Sequence, residues 1–326
     1  MVNIVSYQGL SYNDVSLVAS IGKVNSRTQI PIEGYRIIVA GMSSVIGIEF
    51  LKEWMALPQE IRPLIHLQRD SKAIEHLTFL AENNMQDWVI AGIGLNTPEI
   101  EKTALKLGYK NILLDIAHGG LPGLDKVYNR LRAEFGEDAN LICGCASTEE
   151  QISYLDNMGW DTIRMNIGSG NGCATRYVAG VAIGAFTEIL NAHSYFGDEP
   201  SANIIADGGF YNICDFGKAF LAGAHFCMSG FVFTKCKSAQ LHIDGTNEYY
   251  GMSSCKKGVR GGQTKYDESL TKKVSDKNLY SLYDLLMKIW GGIRSAVSYS
   301  GYETLEEAIG NGEFCILKTP IQNVDW

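Results

Sequence analysis

The sequence predicts an α/β protein built as a closed (β/α)8 barrel, and three observations carry that reading. Short apolar runs alternate with longer amphipathic segments eight times along the chain. Each run is apolar enough to be buried on both faces, as the strands of a parallel sheet are. Seven of the eight connections are long enough for a helix, and eight strand–helix repeats favour closure over an open sheet. With 326 residues, 46% of them hydrophobic, the chain can bury one such core, so residues 1–326 are expected to form a single barrel domain.

The units follow in order. Arg36–Met42 reads as the first strand, with Ile48–Ala56 as its helix. Pro63–Gln68 and Ser71–Glu82 make the second unit. Asp87–Gly92 leads to a helix over Thr97–Gly108, whose start is marked by Asn96-Thr97-Pro98. Asn111–Ala117 and Leu124–Phe135 form the fourth unit. Leu141–Ala146 precedes a helix over Ser147–Met158, opened by the capping box Ser147-Thr148-Glu149-Glu150. Thr162–Ile167 is the sixth strand; a glycine-rich loop follows, then a helix from about Thr175 to His193. Asn203–Ala206 and Asn212–Ala222 make the seventh unit, and His225–Phe231 is the eighth strand. Its helix is delayed, because the polar, lysine-rich residues 236–277 intervene before helical periodicity resumes over Leu279–Ala296. An insertion at the catalytic end of a barrel is expected to be a flap; its polarity leaves a disordered surface loop as the alternative.

The charge balance bounds the partners. With 28 basic and 36 acidic residues the net charge is −8, which argues against nucleic-acid binding but allows a small anion held by backbone donors. The first residues contain no basic and apolar leader pattern, and no apolar run reaches the roughly 18 residues of a membrane span. A cytoplasmic protein without a membrane partner is the expectation. The eight cysteines read as thiols, with no zinc-type spacing and hence no metal expected. Cys143 and Cys145, two apart, are expected to share one strand face.

In such a barrel the chemistry sits on the loops after the strands. After the sixth strand comes Ile167-Gly168-Ser169-Gly170-Asn171-Gly172-Cys173-Ala174-Thr175-Arg176. Its glycines allow close backbone approach to a ligand, and Cys173 stands where loop meets helix, an environment that activates thiols. After the seventh strand comes Asp207-Gly208-Gly209, and after the eighth Ser229-Gly230. Glycine turns at these two places suit a phosphate, and an aspartate beside them can accept hydrogen bonds from a ribose.

These residues resemble the IMP dehydrogenase / GMP reductase family. The loop IGSGNGCATR is similar to the family's catalytic loop and IADGGF to its ribose and phosphate turn. Tyr250-Gly251-Met252-Ser253-Ser254 is similar to the segment that opens its flap. Tyr12–Leu17 with Ser26-Arg27, Asp115–Gly119 and Gly291–Ala296 match as well, in order along the chain. The absence of an inserted regulatory pair of modules, and the forms of 251–254 and 294–296, look more like GMP reductase.

The resemblance implies reductive deamination of GMP to IMP with NADPH, through a covalent adduct of Cys173 at C2 of the purine. Thr175 would help protonate the leaving amine together with a flap glutamate, for which Glu268 is the nearest candidate. Gly170, Asn171, Asp207, Gly208, Gly209, Ser229, Gly230, Tyr250, Gly251, Met252 and Ser253 would bind the nucleoside monophosphate. Asp115, His118 and Arg69 would face NADPH. The resemblance also suggests a homotetramer and allows a monovalent cation at the catalytic-loop carbonyls.

Several positions depart from the family pattern. Met-Asp after the first strand is Met42-Ser43 here, and His-Lys after the second is His66-Leu67-Gln68-Arg69. Gly-Asn after the fifth is Gly144-Cys145, Ser169 replaces a proline, and Asn171-Gly172 replaces Ser-Val. An altered polar shell around a retained nucleophile is sufficient to change which base is accepted, since one unpaired buried polar group costs about 1–3 kcal/mol. The alternatives are a related enzyme acting on another base, an IMP dehydrogenase-like activity, and a non-catalytic nucleotide-binding barrel.

Overall fold

The computed structural model describes residues 8–197, 200–251 and 269–323. Eight parallel strands close into a barrel: β1 (Ile37–Val39), β2 (Leu64–Leu67), β3 (Val89–Ile93), β4 (Asn111–Asp115), β5 (Asn140–Ala146), β6 (Thr162–Met165), β7 (Asn203–Asp207) and β8 (Phe226–Ser229). Closure is made by β1 on β8, with Ile37 opposite Cys227 and Val39 opposite Ser229. Around them lie α1 (Ile48–Met55), α2 (Ala73–Glu82), α3 (Pro98–Lys106), α4 (Leu124–Phe135), α5 (Glu149–Asp156), α6 (Ala185–Phe196), α7 (Cys214–Leu221) and α8 (Leu282–Tyr299). Each predicted strand is present. No described helix is long and apolar enough to cross a membrane.

Strand alternation sorts the side chains into two cores. Val39, Ile65, Ala91, Ile112 and Leu141 face the helices. Ile38, Ile90, Leu113, Ile142, Ile205 and Met228 point inward and fill the barrel. Two residues further along the same inward rows stand Ala40, Gly92, Asp115, Gly144, Asp207 and Gly230, and His66 and Arg164 occupy the matching places on β2 and β6. An apolar floor thus carries a layer of polar and small residues at the carboxyl end.

Three local expectations are corrected. The helix predicted from Thr175 to His193 is interrupted: Thr175–Val178 forms one turn, and α6 begins only at Ala185. Gly180 and Gly184 have φ of 70° and 150°, and a Cβ at Gly184 would stand 2.6 Å from Leu10 O, so the chain must unwind where the N-terminal segment packs. Helix α5 is capped one residue later than read, by Thr148, whose Oγ1 accepts from Gln151 N, while Ser147 N donates to the Gln151 side chain. Cys143 and Cys145 do not share a face, because a register shift between Gly144 and Ala146 leaves Cys145 out of the ladder. Cys143 stays in the core facing the helices.

The insertion is anchored at both ends. Gln240 N and Leu241 N donate to Val45 O and Ser44 O, and Leu241 and Tyr249 are buried. Glu248–Tyr249 then pairs antiparallel with Lys272–Lys273 on the return. Far from this, Val15–Leu17 pairs with Phe314–Ile316.

Candidate active site

A cavity of about 200 Å3 opens at the carboxyl end of the barrel, with Met228 and Ala40 toward its floor and the loops after β6, β7 and β8 on its sides. Two charged clusters and one nucleophile define its chemistry.

Arg164 lies across the deep side. Its guanidinium donates to Asp115 Oδ1 at 2.7 Å and to the carbonyls of Ile116 and Gly144, and reaches Asp207 Oδ2 at 3.3 Å. Both Arg164 and Asp115 are buried. Burial raises the Asp115 carboxyl, but the Arg164 and Arg69 guanidinium groups outweigh it and hold it below its ordinary value. For Asp207 the balance goes the other way: burial dominates the pull of Arg164 and pushes the carboxyl up to about 6. One arginine therefore serves two carboxylates unequally, the nearer one ionised and the farther one poised.

On the β1–β2 side the departures from the family pattern form one network. Ser43 Oγ donates to Asp70 Oδ2 at 2.7 Å, and the Gln68 amide donates to both Ser43 Oγ and Asp70 Oδ2. Ser43 thus stands where the family pattern has a carboxylate, and it hydrogen-bonds to one, Asp70, from the loop after β2. Leu67 faces the helices, so the apolar residue in place of lysine does not touch the cavity, whereas Gln68 does. His66 also lines the cavity; Gly41 N donates to its Nδ1 at 3.2 Å, and burial pushes its pKa down to about 4, so the ring is neutral with its proton on Nε2.

The candidate nucleophile, Cys173, borders the same cavity. Cys173 Sγ donates to Thr175 Oγ1 at 3.2 Å, and both residues border the cavity. The helix after them is a single turn, so its dipole at Cys173 is small. The loop is held by the returning insertion: Leu270 N donates to Gly172 O at 2.9 Å, and Cys173 bridges Ser269. Gly208 shows why glycine is needed, with φ of 81° and a would-be Cβ only 2.9 Å from Gly170 Cα.

Of the residues singled out from sequence, Cys173, Thr175, Gly170, Asn171, Asp207, Gly208, Gly209, Ser229, Gly230, Gly251 and Asp115 meet on this cavity. Tyr250 is not on its wall. Its neighbour Tyr249 is, because adjacent residues on a strand point to opposite sides and Tyr249 is the one turned inward. Arg69 reaches Asp115 O at 3.1 Å from the rim without lining the cavity, and His118 is exposed on the following loop. Met252, Ser253 and Glu268 lie outside the described residues. Sequence reasoning missed Arg164, whose signal was a charge within an otherwise apolar strand. It also missed Asp70, Tyr249 and Lys272, which carried no comparable mark.

A model of the IMP dehydrogenase / GMP reductase domain matches residues 36–320. A GMP reductase of Mesoplasma florum is 26% identical over 323 residues, covering 94% of this chain and 98% of its own. An IMP dehydrogenase of Streptococcus pyogenes is 30% identical over 245 residues, covering 69% of this chain and 49% of its own, and one of Borreliella burgdorferi is 28% identical over 247 residues, with 71% and 61% covered. The chain thus spans about half the length of the streptococcal relative and nearly all of the GMP reductase. The matched region contains every barrel strand and every loop that borders the cavity, and on that ground the chain belongs to the IMP dehydrogenase / GMP reductase family.

Proposed function

We propose that this protein is a GMP reductase-like oxidoreductase that converts GMP to IMP by reductive deamination, with Cys173 as the covalent nucleophile. The observation that carries the reading is the Cys173–Thr175 pair at 3.2 Å, on one cavity with Asp207 and the glycine turns at 208–209 and 229–230. Near full-length coverage of a GMP reductase supports it.

In this reading Asp207 accepts the ribose hydroxyls and the glycine turns receive the phosphate, which sets the purine C2 against Cys173. The Sγ–C2 bond forms, and the exocyclic C2–N bond breaks. The nitrogen leaves as ammonia with a proton passed through the Thr175 hydroxyl, and Glu268 is the candidate partner for that transfer. A hydride then takes the place of sulfur on C2, and the thiolate is released as IMP forms. NADPH, when bound, supplies the hydride. The residues suit such a group in part: buried Asp115 shares the cavity with Cys173, and the Arg69 guanidinium stands beside it at the rim. In this reading Arg69 would meet an added phosphate of NADPH; exposed His118 stands apart from the cavity.

The test is an assay of the purified protein with GMP and NADPH, following NADPH absorbance and released ammonia. Turnover is expected, with Cys173→Ala lowering it by more than about 10^3-fold and leaving GMP affinity within about tenfold. A second reading, oxidation of IMP, is favoured by the 30% identity to an IMP dehydrogenase. NADH or NADPH formation from IMP, with no consumption of NADPH by GMP, would establish it instead.

A further inference from the structure

The glycine turns supply backbone donors for a phosphate but no charge, and a phosphate monoester carries about −1.5 to −2 at neutral pH. The deep end of the cavity has no cation to lend, because Arg164 is already shared between Asp115 and Asp207. A positive group does stand over the loops that carry the turns. Lys272, on the return strand of the insertion, donates from Nζ to Asn171 Oδ1 at 3.3 Å. The same ammonium lies 5.5 Å from the ring centroid of Tyr211 and 5.7 Å from that of Phe231. Asn171 belongs to the loop after β6, Tyr211 to the loop after β7 and Phe231 to the loop after β8. Each of those loops contains one of the glycine turns.

The main chain sets this placement. Lys272 is paired in register with Tyr249, which lines the cavity, and two residues earlier Leu270 is hydrogen-bonded to Gly172. The Asn171 side chain is itself fixed, since its amide donates to Phe210 O at 3.1 Å. The lysine's present acceptor is a neutral amide oxygen at a long distance, and a phosphate oxygen is a stronger acceptor for an ammonium.

The geometry points to Lys272 as the residue that recognises the 5′-phosphate of the nucleotide, delivered to the three glycine turns by the returning insertion. This rests on the nucleotide reading proposed above. It adds a specificity determinant from outside the barrel strands, on a segment whose main chain already bonds the loop after β6.

The experiment measures affinity of the full chain for GMP and for guanosine by calorimetry, in the wild type, Lys272→Met and Lys272→Arg. The wild type is expected to prefer GMP, with a preference that falls as salt rises. Lys272→Met is expected to lose about tenfold to thirtyfold of GMP affinity while guanosine affinity stays within about twofold, and Lys272→Arg to retain most of the preference. An unchanged GMP-to-guanosine ratio in Lys272→Met overturns the proposal. So does an equal loss for both ligands, which means a structural role for the lysine. If the ratio collapses as expected while GMP and NADPH give no turnover, the phosphate assignment stands and the reductase reading fails.

Discussion

At the deep end of the cavity three charged side chains from β4, β6 and β7 hold one another, with Asp115 and Arg164 buried. At the other end the loops after β6, β7 and β8 bring glycine backbone to the cavity, and the Lys272 ammonium, about a hundred residues beyond Asn171, stands against those loops. The first end is made before any ligand arrives and is costly to disturb. The second is loop backbone, held at Gly172 by the returning strand through Leu270. Strand-borne groups give rigidity; loop-borne glycines give access. The site uses each where its chemistry requires it.

The sharpest way to break this contrast is Arg164→Met. It leaves buried Asp115 without its partner and Asp207 without its nearest cation, and removing one member of a buried pair costs about 3–5 kcal/mol. A urea melt should register that loss, and an unchanged midpoint would mean the deep end is not a stability element. Gly208→Ala probes the other end. A left-handed φ costs an L-residue about 1–2 kcal/mol, and the new methyl would press on Gly170, so the same melt should show a smaller loss while GMP affinity falls by about tenfold. Wild-type GMP affinity in this variant would show that the two turns need not touch.

The smallest effect is one of pH. Burial holds Asp207 near 6, so its carboxylate is lost as pH falls through that value. In the proposed function the ionised form accepts the ribose hydroxyls, so guanosine affinity should weaken by about tenfold between pH 7 and pH 5. The nucleoside is the right probe, since a phosphate monoester has its own ionisation near 6. The sign for folding is opposite: a raised carboxyl pKa contributes stability that is present below the unfolded value and lost as pH rises through about 6. Asp207→Asn should flatten the binding profile; a slope that survives it belongs to another group.

The barrel was legible because strands buried on both faces read as apolar runs, and every strand appears where such a run lies. The glycine end was legible for a related reason: backbone that must approach a ligand leaves glycine in the sequence, and the turns at 170, 208–209 and 230 do meet. What stayed hidden depends on distance in space rather than pattern along the chain. Helix periodicity carried the reading through Gly180 and Gly184, because nothing local announces that Leu10 packs there. Position 43 read as the loss of a carboxylate, while Asp70, the carboxylate that Ser43 bonds, sat in a stretch that looked like an ordinary helix start. Arg164 was folded into an apolar strand, and Lys272 was one lysine among many in a polar segment.

The double reach of Arg164 has a thermodynamic consequence. In the function proposed above the nucleotide meets Asp207 and the nicotinamide cofactor meets Asp115, and both aspartates draw on a single guanidinium. A ligand that relieves one carboxylate of its need for that charge leaves more of it for the other. The two binding equilibria are then linked, and linkage is reciprocal: whatever factor the first ligand imposes on the second, the second imposes on the first. Cooperativity between the two ligands requires no movement of the barrel, only the redistribution of one shared positive charge.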